Sequence, residues 1–236
     1  IYANQISWDV LDNIIKVSIG QFYGIEINDF AVTVAKTALW IAESQMMHAT
    51  EEILNANLDF LPLKSYANIV EGNALRIDWE SVVPKDKLNY IMGNPPFVGF
   101  SLMNADQKED VEHIFPGTKN VDYVACWYMK ALKFINSTLI ECAFVSTNSI
   151  CQGEIVPVLW TKLLAEGIII NFAHRTFVWK SEAKAKAAVH CIIIGFAVRD
   201  RVNKVIYDGT VNQSIKNINP YLLDSENIIV YPQRKP

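Results

Sequence analysis

The run Tyr90-Ile91-Met92-Gly93-Asn94-Pro95-Pro96-Phe97 decides how this chain is read. Its first half has the short, nearly continuous apolar character of a strand buried in a parallel sheet. Asn94-Pro95 then ends the strand, because proline fixes φ and brings no N–H to a ladder. Working outward, Phe22 to Ile27, Ala67 to Val70 and Glu141 to Val145 have the same character. Helix-length stretches separate them: Asp29 can cap a helix through Ala31 to Met47, and Asp122 can cap another from Tyr123 to Ile135. The alternation β, α, β, β, α, β argues for an open α/β sheet. Ile168 to Phe172 and Val189 to Val198, joined by the polar segment His174 to Lys186, read as an antiparallel hairpin at one sheet edge. From Asp200 the sequence turns polar and Asn-rich, so residues 1–199 are expected to form the domain and residues 200–236 an ordered arm or linker.

Composition fits one globular domain: 236 residues, 51% hydrophobic and 19% charged, suffice for one sizeable core. The longest apolar run, Ala187 to Val198, is broken by His190 and falls well below the roughly 20 residues that cross a bilayer, so no membrane segment is expected. Ile1-Tyr2-Ala3-Asn4-Gln5 offers no initiator Met and no basic-then-apolar leader, so the chain reads as a fragment without a signal peptide. Cys126, Cys142, Cys151 and Cys191 lack Cys-x-x-Cys spacing and sit in apolar surroundings, which suits buried reduced thiols in a cytoplasm. His48, His113, His174 and His190 are scattered, and no metal is assigned. A net charge of −4 and a pI near 5.6 do not advertise a nucleic-acid binder. The one local basic cluster is Lys180, Lys184 and Lys186.

The Asn94 turn stands at the carboxyl end of a strand, where open α/β sheets bind ligands. Its residue types suit one chemistry. The exocyclic amine of adenine is a poor nucleophile because its lone pair is delocalised into the ring. An amide oxygen and a neighbouring carbonyl that accept its two hydrogens favour a pyramidal, attacking nitrogen. Asn94 and the carbonyl of Pro95 can supply those acceptors, Pro95 and Pro96 stiffen the turn, and Phe97 offers a ring on which an extruded base can stack. The plainer alternative is an Asn-Pro turn with Phe97 as a core plug.

Asn94-Pro95-Pro96-Phe97 resembles the N-P-P-[FYW] motif of S-adenosylmethionine-dependent amino-methyltransferases acting on DNA. Phe22-Tyr23-Gly24-Ile25-Glu26-Ile27, Gly72-Asn73-Ala74-Leu75-Arg76-Ile77-Asp78-Trp79, and His174-Arg175-Thr176-Phe177 through Gly195-Phe196 resemble the MmeI-like branch, in which methylase and endonuclease can share one polypeptide. The blocks fall in the family's order over essentially the whole chain. The resemblance implies a Rossmann-like class I methyltransferase sheet, mostly parallel, whose first strand is missing from the N-terminal side, and methyl transfer to adenine N6 within a restriction-modification or phage-defence enzyme of a bacterium or archaeon.

It also implies site roles. Glu26, closing its strand, would take both ribose hydroxyls of the cofactor, against the alternative of a solvated acid or helix cap. Ile27 would lie on the cofactor's adenine face. Asn73, with Ala74, would read the adenine edge, unless it only makes a Gly-Asn turn. Asp122, with Tyr123, would line the methionine end, unless it is a plain N-cap. Phe177 and Trp179 beside Lys180, Lys184 and Lys186 would stack the flipped adenine of double-stranded DNA and hold phosphates, unless they form a solvated hairpin.

The family opens its cofactor site with a glycine-rich turn, and no Gly-x-Gly run precedes Phe22. Binding of S-adenosylmethionine by these residues alone is therefore expected to be weak. A target-recognition domain, and in some members a nuclease domain, would belong to the full-length chain. The competing readings are a methyltransferase of the same fold acting on RNA or protein glutamine, and a catalytically silent DNA-binding scaffold.

Overall fold

The computed structural model describes residues 16–55, 68–118, 120–179 and 189–232, within two compact units that divide after Val83. In the first unit, β1 (Tyr23–Glu26) and β2 (Asn68–Glu71) pair in parallel with Glu26 opposite Glu71. Between them runs α1 (Asp29–Leu54). Its N-cap is Asn28, not Asp29: Asn28 Oδ1 accepts the Ala31 N–H at 3.0 Å, and Asp29 moves into the first turn. Asparagine caps as well as aspartate, and a carboxylate one residue later still meets the positive end of the helix dipole. The helix stops at Asn55, which adopts the left-handed conformation at φ 47°.

The second unit carries β3 (Tyr90–Gly93), α2 (Ala105–Ile114), α3 (Ala125–Ile135), β4 (Glu141–Thr147), α4 (Ile155–Ala165), β5 (Ile169–Trp179), β6 (Val189–Ala197), β7 (Lys204–Asp208) and β8 (Val211–Ile215). Its strands form a six-stranded mixed sheet in the order β3-β4-β6-β5-β7-β8. Pairs β3–β4 and β5–β7 are parallel; β4–β6, β5–β6 and β7–β8 are antiparallel.

The β5–β6 hairpin is antiparallel as expected, but it lies inside the sheet and not at its edge. β7 and β8, drawn from the stretch expected to be an arm, continue the sheet past β5. Two features make strands of these polar residues. Lys204 and Ile206 turn to the buried face, where the Lys204 ammonium donates to Asp200 Oδ1 at 2.7 Å and to the Lys216 carbonyl at 3.3 Å. Gly209, at φ 60°, supplies the positive φ of a two-residue hairpin loop between Asp208 and Val211.

The core of this unit is aromatic where α3 and α4 meet the sheet. Tyr128 stacks on Phe196 at 5.1 Å between ring centroids and meets Phe144 edge-on at 5.3 Å. Its hydroxyl bonds Ser146 Oγ at 2.9 Å, and the Trp160 indole donates to the Ile150 carbonyl at 2.8 Å, so neither polar tip is buried unpaired. The four cysteines are free and buried. Burial, helped by the charge of Asp110, pushes the Cys126 thiol up to about 12, and burial raises Cys142, Cys151 and Cys191 as well. All four stay thiols near neutral pH.

Candidate active site

In the first unit, the carboxyl ends of β1 and β2 lie side by side, about 4.8 Å apart as neighbouring strands are. Glu26 ends β1 half-buried, and its Oε1 accepts the Asn28 N–H at 3.2 Å. Its carbonyl accepts the Gly72 N–H at 2.8 Å, which ties the turn after β2 to β1. Ile27, next in the chain, is 68% exposed.

Gly72 is required here. Its φ is 153°, and a β-carbon would stand 2.2 Å from Ile77 Cδ1. Asn73 follows, with its Oδ1 accepting the Leu75 N–H at 2.9 Å and its carbonyl accepting the N–H groups of Arg76 and Ile77 at 2.9 Å each. The Gly-Asn turn expected as the plainer alternative is thus present, and it fixes the plane of the Asn73 amide. The Ala74 carbonyl is engaged too, accepting the Trp79 indole N–H at 2.8 Å.

In the second unit, β3 ends at Gly93 and the chain turns at once. Asn94 and Pro96 are exposed, Pro95 is buried, and Phe97 is half-buried. A fully enclosed core plug is therefore not what Phe97 makes. The turn is anchored behind: the Val98 carbonyl accepts the Tyr123 N–H at 3.0 Å, and the buried Tyr123 hydroxyl donates to the Asp110 carboxylate at 2.7 Å.

Asp122 is not the N-cap of α3. That position falls to Val124, which makes no side-chain cap, and the Asp122 carboxylate instead accepts the hydroxyl of Ser149 just beyond β4. Ser149 is 27 residues away in sequence, so no local pattern revealed the pair. A polar run at a strand's carboxyl end, Ser146-Thr147-Asn148-Ser149, was the available signal.

Register brings Phe177 to the same end of the sheet. Phe177 lies opposite Cys191, and Cys191 opposite Thr147, the last residue of β4. Strands β3, β4 and β5 all run in one direction, so Asn94 and Phe177 both stand at carboxyl ends, separated across the sheet by three strand spacings, roughly 14 Å. Trp179 closes β5 opposite Val189. Lys180, Lys184 and Lys186 lie outside the described residues. Two neighbours of Phe177 serve packing: His174 stacks on Tyr207 at 4.3 Å with its pKa lowered by partial burial, and Arg175 donates to Asp208 Oδ2 at 3.1 Å and to the Leu222 carbonyl. Among the described residues, no group of three or more His, Cys, Asp or Glu side chains could hold a metal ion.

An open α/β sheet that ends a parallel strand in Asn-Pro-Pro-Phe has the architecture of a Rossmann-like methyltransferase domain. The family described as MmeI, DNA-methyltransferase domain, matches residues 3–208. DNA methyltransferase A of Bacillus subtilis (strain 168) is 43% identical over 228 residues, 94% of this chain and 26% of that protein. The solved type IIL restriction-modification enzyme MmeI in complex with DNA superposes with a TM-score of 0.90 at 44% identity, over 95% of this chain and 31% of that one. The chain belongs to the MmeI DNA-methyltransferase domain family, and it spans between a quarter and a third of the length of these relatives.

Proposed function

We propose that the protein carrying this chain transfers a methyl group from S-adenosylmethionine to the N6 amine of adenine in double-stranded DNA, as part of a restriction-modification or phage-defence enzyme of the bacterial or archaeal cytoplasm. The observation that carries the proposal is the Asn94-Pro95-Pro96-Phe97 turn, open to solvent at Asn94 and rigidly anchored behind Val98 at a strand's carboxyl end. Asn94 Oδ1 and the Pro95 carbonyl accept the two amine hydrogens, and Phe97 stacks on the flipped base. Phe177 and Trp179 line the base's approach, with Lys180, Lys184 and Lys186 on phosphates.

S-adenosylmethionine, when bound, supplies an electrophilic methyl group on a sulfonium. The residues present fit its nucleoside: Glu26 offers a carboxylate and Asn73 an oriented amide at the ends of adjacent parallel strands, with Ala74 beside them and Ile27 exposed as an apolar face. Asp122 belongs to the methionine end. Residues 200–236, with β7 and β8 among them, precede a target-recognition domain in the longer protein. Residues 1–236 by themselves hold the cofactor weakly.

The test is methyl transfer by the full-length protein from labelled cofactor to duplex DNA, RNA and protein, followed by nucleoside analysis. Label in N6-methyladenine of DNA is expected. Label confined to RNA or protein, or none from a protein that binds the cofactor, overturns the proposal.

A further inference from the structure

Asp122 has two carboxylate oxygens, and the structure treats them differently. Oδ2 accepts the Ser149 hydroxyl. Oδ1 has no hydrogen-bond partner among the described residues and faces Gly99, where a β-carbon would stand 3.8 Å away and, its chain neighbours aside, meet no other heavy atom of the described residues within 4 Å. Gly99 has φ −70° and ψ 150°, a conformation open to any residue. Its missing side chain therefore serves space, and the space adjoins Oδ1.

Ser149 is itself held. A serine hydroxyl has one proton, and here it goes to Asp122. The Thr147 hydroxyl, 2.7 Å from Ser149 Oγ, must then be the donor in that contact. Thr147 ends β4, so the relay Thr147 to Ser149 to Asp122 is rooted in the sheet and not in a loop. The Asp122 main chain is fixed as well, because the next residue, Tyr123, donates its N–H to Val98 in the catalytic turn. Asp122 Oδ1 thus faces the space that Gly99 leaves beside the turn, oriented by a hydroxyl relay, an arrangement that suits a small cation.

We infer that Ser149, itself hydrogen-bonded by Thr147, is a positioning residue that aims Asp122 Oδ1 at the α-ammonium of the cofactor's methionine end, with Gly99 leaving room for that group. The inference rests on the methyltransferase reading and on Asp122 at the methionine end. It assigns a role to Ser149, Thr147 and Gly99, which lie outside the site residues proposed above.

Two probes separate a positioning role from a structural one in the full-length protein. S-adenosylhomocysteine carries the ammonium; 5′-methylthioadenosine keeps the nucleoside and the sulfur but lacks the amino-acid end. Ser149→Ala should weaken S-adenosylhomocysteine about tenfold by titration calorimetry and leave 5′-methylthioadenosine within about twofold of wild type. Ser149→Thr, which keeps the hydroxyl, should hold S-adenosylhomocysteine within about threefold, and Thr147→Val should fall between the two. Gly99→Val should weaken S-adenosylhomocysteine selectively, by covering Oδ1. Equal weakening of both ligands in Ser149→Ala, or no weakening of either, refutes the positioning role and leaves the methyltransferase reading intact. A wild-type protein that binds neither ligand sinks both.

Discussion

At the scale of single residues, the proposed chemistry rests on Asn94. Asn94→Ala in the full-length protein removes one of two acceptors for the adenine amine, a loss on the order of 3 kcal/mol in the transition state or about a hundredfold in kcat. The residue is exposed and its neighbours hold the turn, so folding and DNA binding should survive. Methylation of a cognate duplex at near wild-type rate would remove Asn94 from the mechanism. Phe97 makes a different prediction, because stacking depends on a ring and not on a particular atom. Phe97→Ala should cost roughly 1 to 3 kcal/mol in activity while Phe97→Tyr keeps most of it; equal rates for the two variants would return the side chain to packing. The turn itself is legible in the sequence because prolines at a strand end admit few conformations. Asp122 was legible only as an acid before a helix. Its partner Ser149 comes from another strand end, and a contact across such a distance leaves no periodic trace in the chain.

Among the elements, the buried ones were readable and the polar ones were not. β1, β3, β4 and the β5–β6 pair declare themselves through short apolar runs, although Tyr90 and Met92 of β3 are 65% and 78% exposed. β7 hides because only alternate residues reach the core, a lysine among them, and β8 because only Ile215 is buried, with Asp208-Gly209 as the turn signal between them. With β7 and β8 in the sheet, the β5–β6 hairpin carries its centre and not its edge. That centre gives a stability prediction. Gly195 of β6 lies opposite Phe172 of β5, and a β-carbon on Gly195 would stand 1.9 Å from Phe172 Cε1. Gly195→Ala should therefore displace the ring and destabilise the protein by about 1 to 3 kcal/mol, seen as a lower denaturant midpoint with an unchanged slope. Phe172→Leu in the same background should recover part of the loss by removing the obstructing ring edge. A Gly195→Ala midpoint equal to wild type would mean that the ring yields at no cost.

For the molecule as a whole, the question is how much of a cofactor site residues 1–236 contain. The residues proposed for the nucleoside end, Glu26 and Asn73, each accept a main-chain N–H that orients the side chain, from Asn28 and Leu75 respectively. No Gly-x-Gly run precedes Phe22, so these residues lack the backbone donors that such a turn aims at a carboxylate. Each hydrogen bond lost to a charged group is worth roughly 1.5 to 3 kcal/mol, and about 1.4 kcal/mol is tenfold in affinity. Two such losses lower affinity by roughly a hundredfold to ten-thousandfold, enough to move a micromolar site to the millimolar range. DNA affinity should be low for a separate reason: the net charge is −4, and phosphate contacts are supplied by cations. Titration calorimetry of residues 1–236 with S-adenosylhomocysteine is expected to give little or no heat, against micromolar binding by the full-length protein. If the short form bound with micromolar affinity, the glycine-rich turn would matter for alignment of the methyl group more than for affinity.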